Sequence, residues 1–278
     1  MHEIHCGTYR LPTERPLLMG IVNLTPDSFS GDGLAQDTLQ AIEHARQQWQ
    51  AGADMLDIGA ESSRPGAQAT PEDEELRRLL PVLREVCAWG VPVSVDTYKP
   101  KVMQAALAAG ASMINDITGL RSTEARAAVA GSDCALCLMH MQGEPATMQE
   151  APAYADVVDE VSGWLRTAAE DCLASGIARE RLVLDPGFGF GKNLAHNLAL
   201  FRALDSEIWQ GLPLLVGVSR KRMLGEITGR PVAERVHASV AAALLAAQRG
   251  AAILRVHDVA ATRDALAVWA AIKEETTQ

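Results

Sequence analysis

The chain has 278 residues, 25 Lys and Arg against 35 Asp and Glu, and a formal net charge of −10, with hydrophobic residues at 48%. That length supports a full core without disulfide or metal staples, and the acidic balance argues against a nucleic-acid surface, which needs clustered Lys and Arg to displace counterions. His2, Glu3, Arg10, Glu14 and Arg15 interrupt the first residues, so no secretory leader is expected, and the most apolar stretch, Ala238 to Ala247, is too short to span a bilayer.

Cys6, Cys87, Cys134, Cys137 and Cys172 are odd in number and scattered, which suits a reducing cytoplasm better than a disulfide framework. Cys134-Ala-Leu-Cys137 matches a C-x-x-C pattern but falls in a strand-like run. Residues three apart in a strand point to opposite faces, so both are read as core cysteines.

In chain order, residues 1–11 read as a small hairpin around Gly7 that plugs the bottom of a barrel. Eight short apolar runs follow: Leu17–Asn23, Met55–Gly59, Val91–Asp96, Ser112–Asp116, Ala135–His140, Leu182–Asp185, Leu214–Ser219 and Ala252–Val256. Their near-continuous apolar character is that of parallel strands covered on both faces. Helical patterns separate them. Thr70-Pro71-Glu72-Asp73 supplies a cap, a proline and two acids to one helix start, and Leu76, Leu79, Leu80 and Leu83 give that helix a buried stripe. Pro100 opens the next helix and Gly110 closes it. Gly52, Gly90, Gly110, Gly131, Gly176, Gly211 and Gly250 each follow a helical pattern, where glycine supplies a left-handed stop. No linker or charge block divides the chain, so it reads as one domain over 1–278. Eight strand-then-helix units predict an α/β fold, a (βα)8 TIM barrel, with a doubly wound open sheet as the structural alternative.

Reactive groups in such a barrel come from the C-terminal ends of its strands. Those ends carry Asn23, Asp57 with Glu61, Asp96, Asn115-Asp116, His140, Asp185, Ser219-Arg220-Lys221, and Arg255 with His257. Asp96, Asn115 and Asp185 are acceptors suited to the planar N–H edge of a 2-amino-pyrimidinone. Arg64, Lys221, Arg255 and His257 supply fixed or switchable positive charge suited to a phosphate. The stretches Asn23–Gly33, with Asp27 and Phe29, and Glu61–Ala67, with Arg64, are polar, Gly-containing loops expected to act as lids. Asp185-Pro-Gly-Phe-Gly-Phe-Gly-Lys192 fails both the Walker and the dinucleotide spacings. Its glycines are expected to let the backbone pass beneath a ligand, with Phe190 as one wall.

These residues lie in Met19-Gly-Ile-Val-Asn-Leu-Thr-Pro-Asp-Ser-Phe-Ser30, Asp57-Ile-Gly-Ala-Glu-Ser-Ser-Arg-Pro-Gly66, Ser94-Val-Asp-Thr97, Ile114-Asn-Asp-Ile117, Leu138-Met-His-Met-Gln142, Asp185-Pro-Gly-Phe-Gly-Phe-Gly191, Ser219-Arg-Lys221 and Arg255-Val-His-Asp258. In this order the set resembles the dihydropteroate synthase family of pterin-binding enzymes over nearly the whole chain. The resemblance implies condensation of a dihydropterin-methyl diphosphate with 4-aminobenzoate, as a sulfonamide target on the folate pathway. It implies pterin contacts at Asp96, Asn115, Asp185 and Lys221, diphosphate contacts at Arg255 and His257, and a Mg²⁺ ligand at Asn23. It further implies an aminobenzoate subsite with Ser63, Arg64, Pro65, Phe29 and Phe190, catalytic roles for Asp96, Lys221 and Arg255, and a homodimer. Arg222 departs from the pattern, standing where many members carry Ser; it pairs with the aminobenzoate carboxylate or points to solvent. The rival readings are a methyltetrahydrofolate-binding methyltransferase-type pterin domain, a non-catalytic pterin-binding paralogue, and a phosphate-binding isomerase or aldolase. The second would lose Asn23 or Arg255; the third leaves the acidic floor unexplained.

Overall fold

The computed structural model describes residues 3–24, 38–62 and 66–273. Strands β1 (Glu3–Cys6) and β2 (Tyr9–Pro12) pair antiparallel around Gly7, whose φ of +61° a side chain would strain. The main sheet contains β3 (Leu17–Asn23), β4 (Met55–Gly59), β5 (Val93–Asp96), β6 (Met113–Asp116), β7 (Ala135–Met139), β8 (Leu182–Asp185), β9 (Leu215–Val216) and β10 (Ile253–Val256). All pairings in it are parallel, in the order β8-β7-β6-β5-β4-β3-β10-β9. A bridge between Leu184 and Leu214 joins the two ends, and the Leu184 N–H donates to the Pro213 carbonyl at 2.9 Å. The sheet is a barrel, and the open-sheet alternative is excluded.

Helices α1 (Thr38–Gln50), α2 (Glu72–Cys87), α3 (Pro100–Ala108), α4 (Thr123–Ala130), α5 (Val157–Ala174) and α6 (Leu194–Arg202) follow strands in turn. The connection after β9 holds both the short α7 (Arg222–Thr228) and α8 (Val236–Gln248), and α9 (Val259–Lys273) follows β10. None of the described helices is long and apolar enough to cross a membrane.

Strand parity sorts the side chains into two cores. Outward residues such as Leu18, Leu56, Ile114 and Leu136 pack against the helices. Inward residues Met19, Met55, Met113, Val183 and Ile253 fill the lower barrel, and Ile4 and Cys6 of the hairpin join them from below. The hairpin is the expected plug. Cys137 faces inward and Cys134 outward, as the strand reading requires, and all five cysteines are free.

Several boundaries differ from the sequence reading. β9 holds two residues because Gly217 leaves the ladder, and a side chain there would stand about 3.8 Å from the Arg255 Cβ. The cap of α2 is Pro71 rather than Thr70, whose backbone is engaged elsewhere. That helix buries Glu75, Leu79, Val82, Leu83 and Val86, so Leu79 and Leu83 of the expected stripe are buried while Leu76 and Leu80 are half-buried. Of the helix-closing glycines only Gly131 keeps a negative φ, −80°.

Ile4 is 1% exposed inside the plug. Ile4→Ala is expected to lower unfolding stability by about 2–5 kcal/mol, read as a shifted urea midpoint with an unchanged slope.

Candidate active site

Above the apolar lower barrel, the same inward parity delivers Asn23, Asp57, Ser94, Asp96, Asn115, Asp185 and Arg255. A cavity of about 550 Å³ opens over this layer and is lined by Asn23, Asp96, Phe190, Lys221, Arg255 and His257. Asn115 and Asp185 lie deeper, buried behind the lining.

Arg255 crosses the barrel interior. Its Nε donates to Asp57 Oδ2 at 2.6 Å and its Nη2 to Asp96 Oδ2 at 3.1 Å. Lys221 donates to the Phe188 carbonyl at 2.5 Å, with its ammonium 4.8 Å from the centre of the Phe190 ring. Asp185 Oδ1 accepts the Gly187 N–H at 2.7 Å. Asn115 Oδ1, Ser94 Oγ and Asp57 Oδ1 are buried with no hydrogen-bond partner among the described residues. Such atoms are costly unless a ligand or water meets them.

Burial dominates the ionisation of this layer. It raises Asp96 to about 7, with Arg255 pulling down and Asp57 pushing up, and raises Asp185 against the pull of Lys221. It lowers Lys221 to about 8. His257 falls to about 3 through burial and the neighbouring Arg255 and Arg220, so its imidazole is neutral. Its Nδ1 lies 3.0 Å from Ser219 Oγ. The switchable charge expected of His257 is therefore absent here; it offers a neutral ring nitrogen.

A family model described as pterin binding enzyme matches residues 19–257. The chain belongs to this family. It is 51% identical over 278 residues to the dihydropteroate synthase of Neisseria meningitidis serogroup B, covering 98% of each chain. Against that of Escherichia coli K12 the identity is 46% over 259 residues, covering 93% of this chain and 92% of the relative. A solved dihydropteroate synthase of Burkholderia cenocepacia, complexed with 7,8-dihydropteroate, superposes with a TM-score of 0.89 at 49% identity, covering 98% of this chain and 96% of that one. The Yersinia pestis enzyme with a sulfonamide drug complex gives 0.94 at 44%, covering 98% and 100%.

Among the residues expected at a pterin enzyme's site, Asn23, Asp96, Lys221, Arg255 and His257 line the cavity, and Asn115 and Asp185 are buried behind that lining. Asp27, Phe29, Ser63, Arg64 and Pro65 lie outside the described residues, and with them most of both expected lids. Three rim residues are held by structural partners, although Arg220 also lines the cavity. Asp116 points outward and accepts from the Thr118 N–H and hydroxyl at 2.6 and 2.8 Å and from the Leu120 N–H at 3.0 Å. Arg220 pairs with Asp258 at 2.6 Å. His140 is buried edge-on against Trp164, 5.2 Å between ring centres. Arg222 is 82% exposed and pairs with Glu226 at 2.6 Å, on the cavity rim.

In the glycine-rich loop Gly189 lines the cavity, whereas Gly187 and Gly191 face a neighbouring loop. A side chain at Gly187 would run into the His140 carbonyl, and one at Gly191 would stand 2.6 Å from that of Gln142. These glycines thus serve loop-on-loop packing, while Phe190 does line the cavity. Beneath them the buried Lys192 donates to the Gly187 and Phe190 carbonyls at 3.0 and 2.9 Å, and lies 3.3 Å from the His140 carbonyl and 3.0 Å from its Nδ1. Glu61 is likewise occupied, accepting from the Tyr98 hydroxyl at 2.9 Å and pairing with Lys99. Lys99 also reaches Glu75 at 2.6 Å and the Thr70 carbonyl at 2.5 Å.

Sequence reasoning gave no role to Asp57, Ser94, Lys192 or Lys99. A carboxylate inside the run Met-Leu-Asp-Ile-Gly was the available signal for Asp57.

Lys192→Met leaves buried carbonyls without their donor, at about 1–3 kcal/mol each. The variant is expected to lose on the order of 3 kcal/mol or more of stability, measured by denaturant unfolding.

Proposed function

We propose that the chain is a transferase that joins a dihydropterin-methyl diphosphate to 4-aminobenzoate, releasing diphosphate and forming 7,8-dihydropteroate. The observation that carries this reading is the acceptor floor of Asp96, Asn115 and Asp185 beneath the cations Lys221 and Arg255, in a chain about half identical to dihydropteroate synthases over its length. Asn115 Oδ1 and the two carboxylates meet the amino and ring N–H donors of a pterin, and Lys221 meets its carbonyl edge.

The C–O bond to diphosphate breaks first, with the electron pair leaving on the diphosphate. Arg255 and His257 receive that anion. Positive charge spreads into the pterin ring, where Asp96 and Asp185 favour it. The amine nitrogen of 4-aminobenzoate then bonds to the methylene carbon and loses a proton. No protein nucleophile is needed. Phe190 and Lys221 wall the aromatic subsite, and Ser63 and Arg64 are assigned to it by motif position alone.

No cluster of three or more His, Cys, Asp or Glu able to hold a metal occurs among the described residues. Asn23 offers one neutral oxygen at the cavity wall, a donor that fits Mg²⁺ arriving on a diphosphate rather than a resident ion. Bound there, Mg²⁺ would neutralise charge on the leaving group. The unpaired cysteines support a cytoplasmic setting, and family likeness supports a homodimer.

Incubation with the pterin diphosphate, 4-aminobenzoate and Mg²⁺ is expected to yield dihydropteroate and diphosphate, detected by chromatography; absence of both products refutes the reading. In the same protein Asp185→Asn exchanges a charge-assisted bond of about 1.5–3 kcal/mol for a neutral one, so pterin affinity by calorimetry should fall roughly 10- to 100-fold.

Asp96 carries a proton in the empty site below about 7. Pterin N–H groups favour the ionised form, so binding must displace that proton. Affinity for free pterin should therefore strengthen as pH rises toward neutrality and weaken below it, by up to about tenfold per pH unit. Asp96→Asn should bind more weakly and remove that dependence.

A further inference from the structure

Asp57 has no part in the scheme above, yet it is fully buried on β4 with a charge that only a partner can justify. Its partner stands two strands away. β3 separates β4 from β10, with Ile21 beside Asp57 and Met19 beside Arg255, so the arginine reaches across the barrel to meet it. The guanidinium is thus gripped along one side, at Nε by Asp57 and at Nη2 by Asp96, and the residue lines the cavity.

The two grips are unequal. Asp96 also lines the cavity and has the pterin to bind, and its contact with Arg255 is the longer one, 3.1 against 2.6 Å. Asp57 is absent from the cavity lining, and its Oδ2 is given over to the Arg255 Nε. It alone can hold the guanidinium unchanged while Asp96 exchanges partners.

We propose that Asp57 is a positioning residue: its grip on the Nε edge aims the Arg255 guanidinium at the departing diphosphate throughout the reaction. The proposal rests on the function given above and deepens it. An arginine kept only by Asp96 would turn when substrate claims that carboxylate, and misplacement by about 1 Å costs a reaction up to about 100-fold.

The test is a double-mutant cycle read in two ways. Binding of inorganic diphosphate at fixed MgCl2 is measured by calorimetry in wild type, Asp57→Asn, Arg255→Lys and the double variant. Turnover is measured in the single variants. Asp57→Asn is expected to weaken diphosphate binding about tenfold and lower kcat 10- to 100-fold, with KM for 4-aminobenzoate and affinity for free pterin within about twofold of wild type. In the Arg255→Lys background the same change should alter diphosphate binding less than about twofold. Equal weakening in both backgrounds, or wild-type kcat and diphosphate affinity in Asp57→Asn, overturns the proposal. Should Asp57→Asn melt below the assay temperature, Asp57→Glu keeps the buried charge and moves it by one methylene. A lowered kcat at unchanged KM for 4-aminobenzoate supports the proposal, and a wild-type kcat overturns it. Failure of wild type to form dihydropteroate refutes the proposed function instead, and the diphosphate cycle reads independently of turnover.

Discussion

A guanidinium inside a closed barrel of parallel strands must be answered by carboxylates, and this requirement shapes the upper half of the molecule. Arg255 rises from β10 into an interior that is apolar below it, so water cannot solvate it from that side. Asp57 and Asp96 answer from β4 and β5, and Asp185 adds its field from β8. Burial, with the repulsion of neighbouring acids against the pull of Arg255, leaves Asp96 a group poised near neutrality. The arrangement that makes Arg255 tolerable also makes a floor of acceptors for a ligand with N–H groups.

The rim depends on two further lysines that hold loops, the buried Lys192 and the half-buried Lys99. Lys192 gathers carbonyls from the β7 and β8 loops, and the glycines there let the two backbones approach closely enough to share it. Lys99 gathers Glu61, Glu75 and the Thr70 carbonyl, tying residues on either side of the β4 loop to α2. A flexible backbone without these nodes would carry unsatisfied polar groups into the interior. The loops are fixed at their roots by charge because their sequences contain few large apolar residues that would anchor them by burial.

Polar side chains on the strand ends sort by parity into two populations with different work. Asp96, Asn115, Asp185 and Arg255 point in and form the site. Asp116 points out and satisfies the turn through Thr118 and Leu120. His140 lies just beyond β7 and packs under its own loop against Trp164 and Lys192. Neighbours in sequence thus fall into chemistry or architecture by one residue of register.

The eight-fold alternation, the hairpin and most strand limits were legible in the chain itself, because burial on both faces writes a continuous apolar run that local composition displays. Leu17–Asn23, Met55–Gly59 and Leu182–Asp185 are strands with the bounds read from sequence. The polar residues of the candidate site were legible as a set too, since Asp96, Asn115, Asp185 and Arg255 each stand at or near the end of an apolar run. What the chain did not display were relations between distant segments: the pairing of Asp57 with Arg255 over 198 positions, the neutrality of His257, and the diversion of His140, Arg220 and Glu61 to structural partners. Periodicity reports the face of one element, whereas charge state and partnership depend on distances between elements and on the loss of water around them. Those quantities exist only after the barrel has closed.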